Sequence, residues 1–141
     1  MRIQELLKGK GSDVVTVTSH ATIGELVQTL ADHKIGAVVV VDDGAITGII
    51  SERDVVRALP GGNVGLLDEP VSTLMTSDVV TCTPEDEVSA LAASMTAHRF
   101  RHLPVVRDGQ LAGIVSIGDI VKFRLDELQH ERDQLESYIS S

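Results

Sequence analysis

Two stretches of this 141-residue chain set a serine and an aspartate at the same spacing: Gly48-Ile-Ile-Ser51-Glu-Arg-Asp54 and Gly113-Ile-Val-Ser116-Ile-Gly-Asp119. Each opens in an aliphatic run that reads as a strand and closes in a run that reads as a helix. A hydroxyl at a first helical turn lies beside unpaired backbone N–H groups and the positive end of the helix dipole, which suits it to holding a phosphate. The aspartate three residues later sits one turn on, where its carboxylate can accept hydrogen bonds from both hydroxyls of a ribose. Together they read as a handle for a nucleotide. The competing reading makes Ser51 and Ser116 helix N-caps and Asp54 and Asp119 first-turn charges favoured by the dipole. Recurrence at one register favours the first reading, although a duplication would also preserve a cap.

The elements that must position these residues come from an internal repeat. At an offset of 65, residues 12–16 (Ser-Asp-Val-Val-Thr) fall on residues 77–81, His33 on His98, Val40-Val41 on Val105-Val106, and Asp43-Gly44 on Asp108-Gly109. Each copy reads as a β-α-β-β-α unit. In the first, residues 14–17 are a short β-branched strand. Residues 22–33 carry Ile23, Leu26, Val27 and Leu30 at amphipathic helical spacing. Residues 37–41 and 46–50 are strands joined through Asp42-Asp43-Gly44, and Ser51 caps a helix running through Val55, Val56 and Ala58. The second copy predicts strands at 79–82, 103–106 and 111–115, a helix at 88–98 and another from Ser116. Pro60-Gly61-Gly62-Asn63 reads as a linker. The expected organisation is a first repeat over 1–59, a linker over 60–70, a second repeat over 71–128 and a helical extension over 129–141. About 60 residues are marginal for independent folding, so the copies are expected to cover each other's apolar faces.

The repeat length, the β-α-β-β-α order, the duplicated Gly-aliphatic-aliphatic-Ser-x-x-Asp and the run His102-Leu-Pro-Val-Val106 resemble the CBS (cystathionine β-synthase) domain family over residues 12–59 and 71–128. The resemblance implies an α/β (α+β) fold in which tandem CBS repeats pack about a pseudo-two-fold axis, a Bateman module, and leave two clefts. In such families the clefts take AMP, ADP, ATP, NAD or S-adenosylmethionine. Carried over by position, Asp54 and Asp119 hold ribose, and Ser51 and Ser116 face phosphate. Val15, Ala37, Val38 and Ile49 line one adenine slot, and Val80, His102, Leu103, Pro104 and Ile114 the other. Basic residues concentrate at His98-Arg99-Phe100-Arg101-His102, so phosphate contact is expected mainly from Arg101 and His102, with Arg53 from the first copy; a solvated surface patch is the alternative. The copies differ where Gly118 replaces Arg53 and where the first lacks the Pro of His-Leu-Pro, and either change could leave one cleft empty.

Composition narrows the remaining classes. Aromatics make up 2% of the chain against 43% hydrophobic residues, so the core must be aliphatic. The formal net charge of −9 opposes nucleic-acid and anionic-membrane binding, while leaving room for a small anion in a locally basic pocket. A single cysteine, Cys82, precludes an internal disulfide and fits a reducing, cytoplasmic setting. Placed in a strand, it reads as a buried small hydrophobe. Residues 1–10 carry no apolar run of the secretory kind, and no stretch approaches the roughly 20 apolar residues that span a bilayer. His98 and His102 stand four apart, as zinc ligands on a helix would, but no Cys or carboxylate completes a set nearby. No acid–base pair or activated nucleophile can be placed, so a catalytic role is not expected. From Asp119 to Ile139 the chain has no Gly or Pro. Val121, Leu125, Leu128, Leu135 and Ile139 form an a/d seam of nearly three heptads broken at Arg132, which predicts a helix joining two copies as a homodimer. Packing on its own domain is the alternative for Val121 and Leu125. The resulting expectation is a regulatory adenosyl-nucleotide sensor acting on an unidentified protein, with a ligand-free interaction module built on the C-terminal helix as its rival.

Overall fold

The computed structural model describes residues 1–11, 13–62 and 64–140, so Ser12 at the head of the repeat match and Asn63 at the end of the linker cluster lie outside the described residues. Helix α1 (Ile3–Lys10) comes first. The first copy then runs β1 (Thr16–Val17), α2 (Ile23–His33), β2 (Ala37–Asp42), β3 (Ala45–Ser51) and α3 (Glu52–Ala58). The second runs α4 (Val88–His98), β4 (His102–Arg107), β5 (Gln110–Ser116) and α5 (Ile117–Ser140). The local chemistry explains the boundaries. Thr22 caps α2 by accepting from the Glu25 N–H at 3.1 Å, and both hairpins turn on Asp-Gly pairs with positive φ at both residues, 50° and 79° at Asp43-Gly44 and 51° and 76° at Asp108-Gly109. That geometry matches the twist of the flanking strands and favours glycine at the second position.

In the first copy β1 pairs parallel with β2, and β2 antiparallel with β3. The second sheet holds only β4 and β5. The strand expected at 79–82 is reduced to one parallel bridge, Cys82 to Val105, where Cys82 N–H donates to the Pro104 carbonyl and Val106 N–H to the Cys82 carbonyl. The position equivalent to Val39, which pairs with Thr16 in the first copy, is Pro104. Proline has no N–H with which to continue the ladder.

Each copy has its own aliphatic core. Ile23, Leu26, Leu30, Val38, Val40, Ile50 and Val55 form the first, and Cys82, Val88, Leu91, Met95, Leu103, Val105, Val115 and Ile120 the second. The segments that precede the copies are exchanged between them. Residues 1–10, which precede the first copy in chain order, pack into the second core through Ile3, Leu6 and Leu7. Leu66 and Val71, which precede the second copy, complete the first core.

The backbone bonds on the two sides correspond. Ile3 N–H donates to the Asp86 carbonyl and Val88 N–H to the Met1 carbonyl; opposite them, Val71 N–H donates to the Ala21 carbonyl and Ile23 N–H to the Glu69 carbonyl. Ile3 therefore corresponds to Val71, and Leu7 to Met75, at an offset of 68 rather than 65. Glycine makes room for both approaches: a Cβ on Gly113 would lie 2.8 Å from Leu7 Cδ2, and one on Gly48 2.6 Å from Met75 Sδ, so either side chain would have to shift. The difference of three residues lies directly after these contacts, where residues 8–11 stand against Thr76 alone.

Helix α5 has 24 residues and so reaches about 36 Å. Ile120 is buried in the second core, with Ile117 and Phe123 packed against it. The seam faces elsewhere: Val121, Leu125, Leu128, Leu135 and Ile139 are all exposed, so the own-domain packing considered for Val121 and Leu125 is made by Ile117, Ile120 and Phe123 instead. Among the described residues no helix is long and apolar enough to cross a membrane.

Candidate functional site

A cavity of about 260 Å³ opens between the two copies at the β3–α3 junction. The first copy lines it with Ala37 on β2, Ile49 and Ser51 on β3, and Arg53, Asp54 and Arg57 on the first two turns of α3. The second contributes two chain segments: Thr76, Asp78, Val79 and Val80, and Arg99, Phe100, Arg101, His102 and Leu103. The second segment is turned into the cavity by Arg99, whose left-handed φ of 59° ends α4.

Ser51 is the N-cap of α3. Its hydroxyl accepts weakly from Asp54 N–H at 3.4 Å, while Asp54 Oδ2 accepts from Ser51 N–H at 2.8 Å and from the Ser51 hydroxyl at 3.1 Å. The cap reading and the handle reading thus describe the same atoms, because the cap fixes one carboxylate oxygen and leaves Asp54 Oδ1 without a hydrogen bond among the described residues. Four guanidinium groups (Arg53, Arg57, Arg99, Arg101) line the cavity against three carboxylates (Glu52, Asp54, Asp78). None of the four arginines makes an ion pair among the described residues. On a chain of net charge −9 this is a local excess of positive charge, suited to an anion. His102 is held below the ordinary imidazole value by burial first and then by Lys10 and Arg101, against the opposing pull of Asp119 and Glu52.

The second serine–aspartate pair has different surroundings. Ser116 N–H donates to Asp119 Oδ2 at 2.9 Å and Asp119 N–H to the Ser116 hydroxyl at 3.0 Å, repeating the cap. The same Oδ2 also takes the Lys10 ammonium at 2.5 Å, and Lys10 donates at 2.6 Å to the Ile114 carbonyl. Burial raises the Asp119 pKa, but the Lys10 and Ser116 hydrogen bonds outweigh it and hold the carboxyl below its usual value.

The grouping therefore differs from the one expected within single copies. Val80, Arg101, His102 and Leu103 share the cavity with Ala37, Ile49, Ser51, Arg53 and Asp54, while His102 also stands opposite Ser116 across β4 and β5. Val38 is wholly buried in the first core with Val15 packed against that core. Pro104 is buried in β4, and Ile114 meets Lys10 through its carbonyl. His98 and His102 do not share a helix, since α4 ends at His98 and β4 begins at His102. Arg57 and Lys10 were not foreseen. Arg57 lies three residues after Asp54 and so on the same helical face, a signal the sequence did contain; Lys10 is reached only through the exchanged packing of α1.

The CBS domain sequence profile matches residues 11–61 and 71–126. The chain belongs to the CBS-domain family. Its fold is that of solved CBS-domain pairs. A CBS-domain protein from Agrobacterium tumefaciens shares 50% identity at a TM-score of 0.85, covering 88% of this chain and 99% of that one. The CBS pair of protein MJ0100, solved with 5-methylthioadenosine and S-adenosyl-L-methionine, is 26% identical at a TM-score of 0.79, over 90% and 98% of the two chains. The CBS-domain protein PAE2072 from Pyrobaculum aerophilum, solved with AMP, is 32% identical at a TM-score of 0.73, over 84% and 89%.

Proposed function

We propose that this CBS pair is a regulatory, non-catalytic module that binds an adenosine-bearing nucleotide in the cavity between its repeats. The carrying observation is that one cavity gathers Ser51 and Asp54 from the first repeat with Arg99, Arg101 and His102 from the second. In this reading Asp54 Oδ1 accepts from the ribose hydroxyls, and Ala37, Ile49, Val80 and Leu103 flank the base. Ser51, Arg53, Arg101 and His102 face the phosphate. Relatives solved with AMP and with S-adenosyl-L-methionine support the ligand class. AMP, ADP, ATP, NAD and S-adenosylmethionine are the ligands to compare. Because the contacts come from both repeats, ligand binding favours one relative arrangement of them, a population shift that a partner protein can read.

Calorimetric titration with AMP, ATP, NAD and S-adenosylmethionine tests this directly. At 100-fold excess over Kd the ligand should stabilise the fold by about 2.7 kcal/mol, and Asp54→Ala should remove both the heat and the stabilisation. No heat with any of the four at concentrations that detect micromolar binding overturns the reading. The exposed seam of α5 favours a second reading, a ligand-free interaction module, which predicts no heat and no effect of Asp54→Ala on melting with AMP present. Under either reading we propose that the seam joins two copies as a homodimer.

A further inference from the structure

We infer that Lys10 is a built-in occupant of the second serine–aspartate site, so that the chain takes one nucleotide, at Asp54, although its repeat supplies two such sites. The inference rests on the nucleotide reading of the Asp54 cavity. In the first repeat the Ile49 carbonyl is taken by the Thr76 backbone N–H at 2.9 Å, a bond that keeps close to the strand and leaves the space beside Asp54 open. The equivalent carbonyl in the second repeat, Ile114, is taken by a side-chain ammonium that also closes on Asp119.

The cause is in the chain length. After Met75 the backbone turns at Thr76 and bridges to Ile49. After the equivalent Leu7, three additional residues let α1 run on to Lys10, which brings the ammonium over Asp119. Both partners are only partly exposed, at 33% and 25% of their side chains, so solvent screens the pair less than it would a surface pair. A ribose offers this carboxylate neutral hydroxyls and must displace a charge-assisted hydrogen bond to do so. The phosphate side is depleted as well. At the repeat offset, Arg53 and Arg101 correspond to Gly118 and Gly36, and Arg57 and Arg99 to Lys122 and Lys34.

Counting bound AMP tests the assignment. Wild type should bind one AMP per chain and Lys10→Met, which keeps most of the aliphatic stem, two. Asp54→Ala should bind none, and the Asp54→Ala, Lys10→Met double variant should regain one. Thermal melts confirm folding, and Lys10→Gln should give the same count as Lys10→Met. Because the opened site has only two of the four cationic side chains, titration is followed to millimolar AMP by the amide resonances of Ser116 and Asp119, which should shift in Lys10→Met and not in wild type. Two AMP per chain in wild type, or one in a folded Lys10→Met whose Ser116 and Asp119 amides stay in place, overturns the role of Lys10 and leaves the Asp54 reading standing. Absence of AMP from wild type and from Lys10→Met overturns both, whereas AMP bound only by Lys10→Met supports the role of Lys10 and removes the Asp54 reading.

Discussion

Truncating Ile3 to alanine should destabilise the whole chain, because the amino-terminal helix is part of the second repeat's core. Ile3 has no solvent exposure and lies in one cluster with Leu6, Leu7, Val88 and Met95. Burial of that completeness puts an Ile→Ala change in the range of about 2–5 kcal/mol, the cost rising with the volume of the cavity left behind. Two features oppose collapse of that cavity. The backbone at residues 1–3 is clamped by the Ile3–Asp86 and Val88–Met1 hydrogen bonds, and Leu7 is seated against Gly113. The loss should therefore be at least about 3 kcal/mol. At roughly 2.1 cal/mol/K per residue, 141 residues unfold with an entropy near 0.3 kcal/mol/K, so the midpoint should fall by about 10 °C. Thermal melts followed by circular dichroism measure it, with Val64→Ala as control, since Val64 is 98% exposed and should shift little. A drop of less than about 3 °C, or about 1 kcal/mol, would refute the integral role of α1 and, with it, the firm placement of Lys10.

Three other outcomes follow from the structure. Burial, then Lys10 and Arg101, hold His102 below its ordinary value. The folded state thus takes up this proton less readily than the unfolded chain, and the contribution is complete above about pH 6.5 and lost as pH falls from there toward the folded value. Urea midpoints for His102→Gln should decline less than wild type between pH 7 and 5, and an identical decline refutes the assignment. Burial, with Asp86 adding, pushes the Cys82 thiol up to about 12, so iodoacetamide at pH 8 should leave it unmodified in the native protein and alkylate it in urea; native modification at the rate of a free thiol contradicts the burial. Leu128→Lys combined with Leu135→Lys should convert a dimer to a monomer in sedimentation at little cost in folding, both positions being more than half exposed; an unchanged mass rules out the seam.

What the sequence made legible was local. Asp43-Gly44 and Asp108-Gly109 specify their turns through backbone conformation alone, and Thr22 and Ser51 start their helices through hydrogen bonds that reach only three residues on. The missing strand at 79–82 follows from Pro104, more than twenty residues away, so the β-branched run could not reveal it. The exchange of α1 with residues 66–75 was hidden for another reason. The two segments share only the short pattern Ile3-x-x-Leu6-Leu7 and Val71-x-x-Leu74-Met75, and they correspond at an offset of 68 while the repeats correspond at 65. The same exchange explains why the cavity mixes copies: a register assigns each residue to its own repeat, but only the packing brings Arg101 and His102 to Asp54.

His102 feels charges from both serine–aspartate sites. It lines the Asp54 cavity, yet the charges acting on it include Lys10 and Asp119 at the other site. A phosphate arriving among Arg53, Arg99 and Arg101 adds negative charge beside this ring and raises its affinity for a proton. Two sites built from one duplicated motif need not act as duplicates, because a three-residue difference in chain length brings Lys10 onto the aspartate of one of them and leaves the other open.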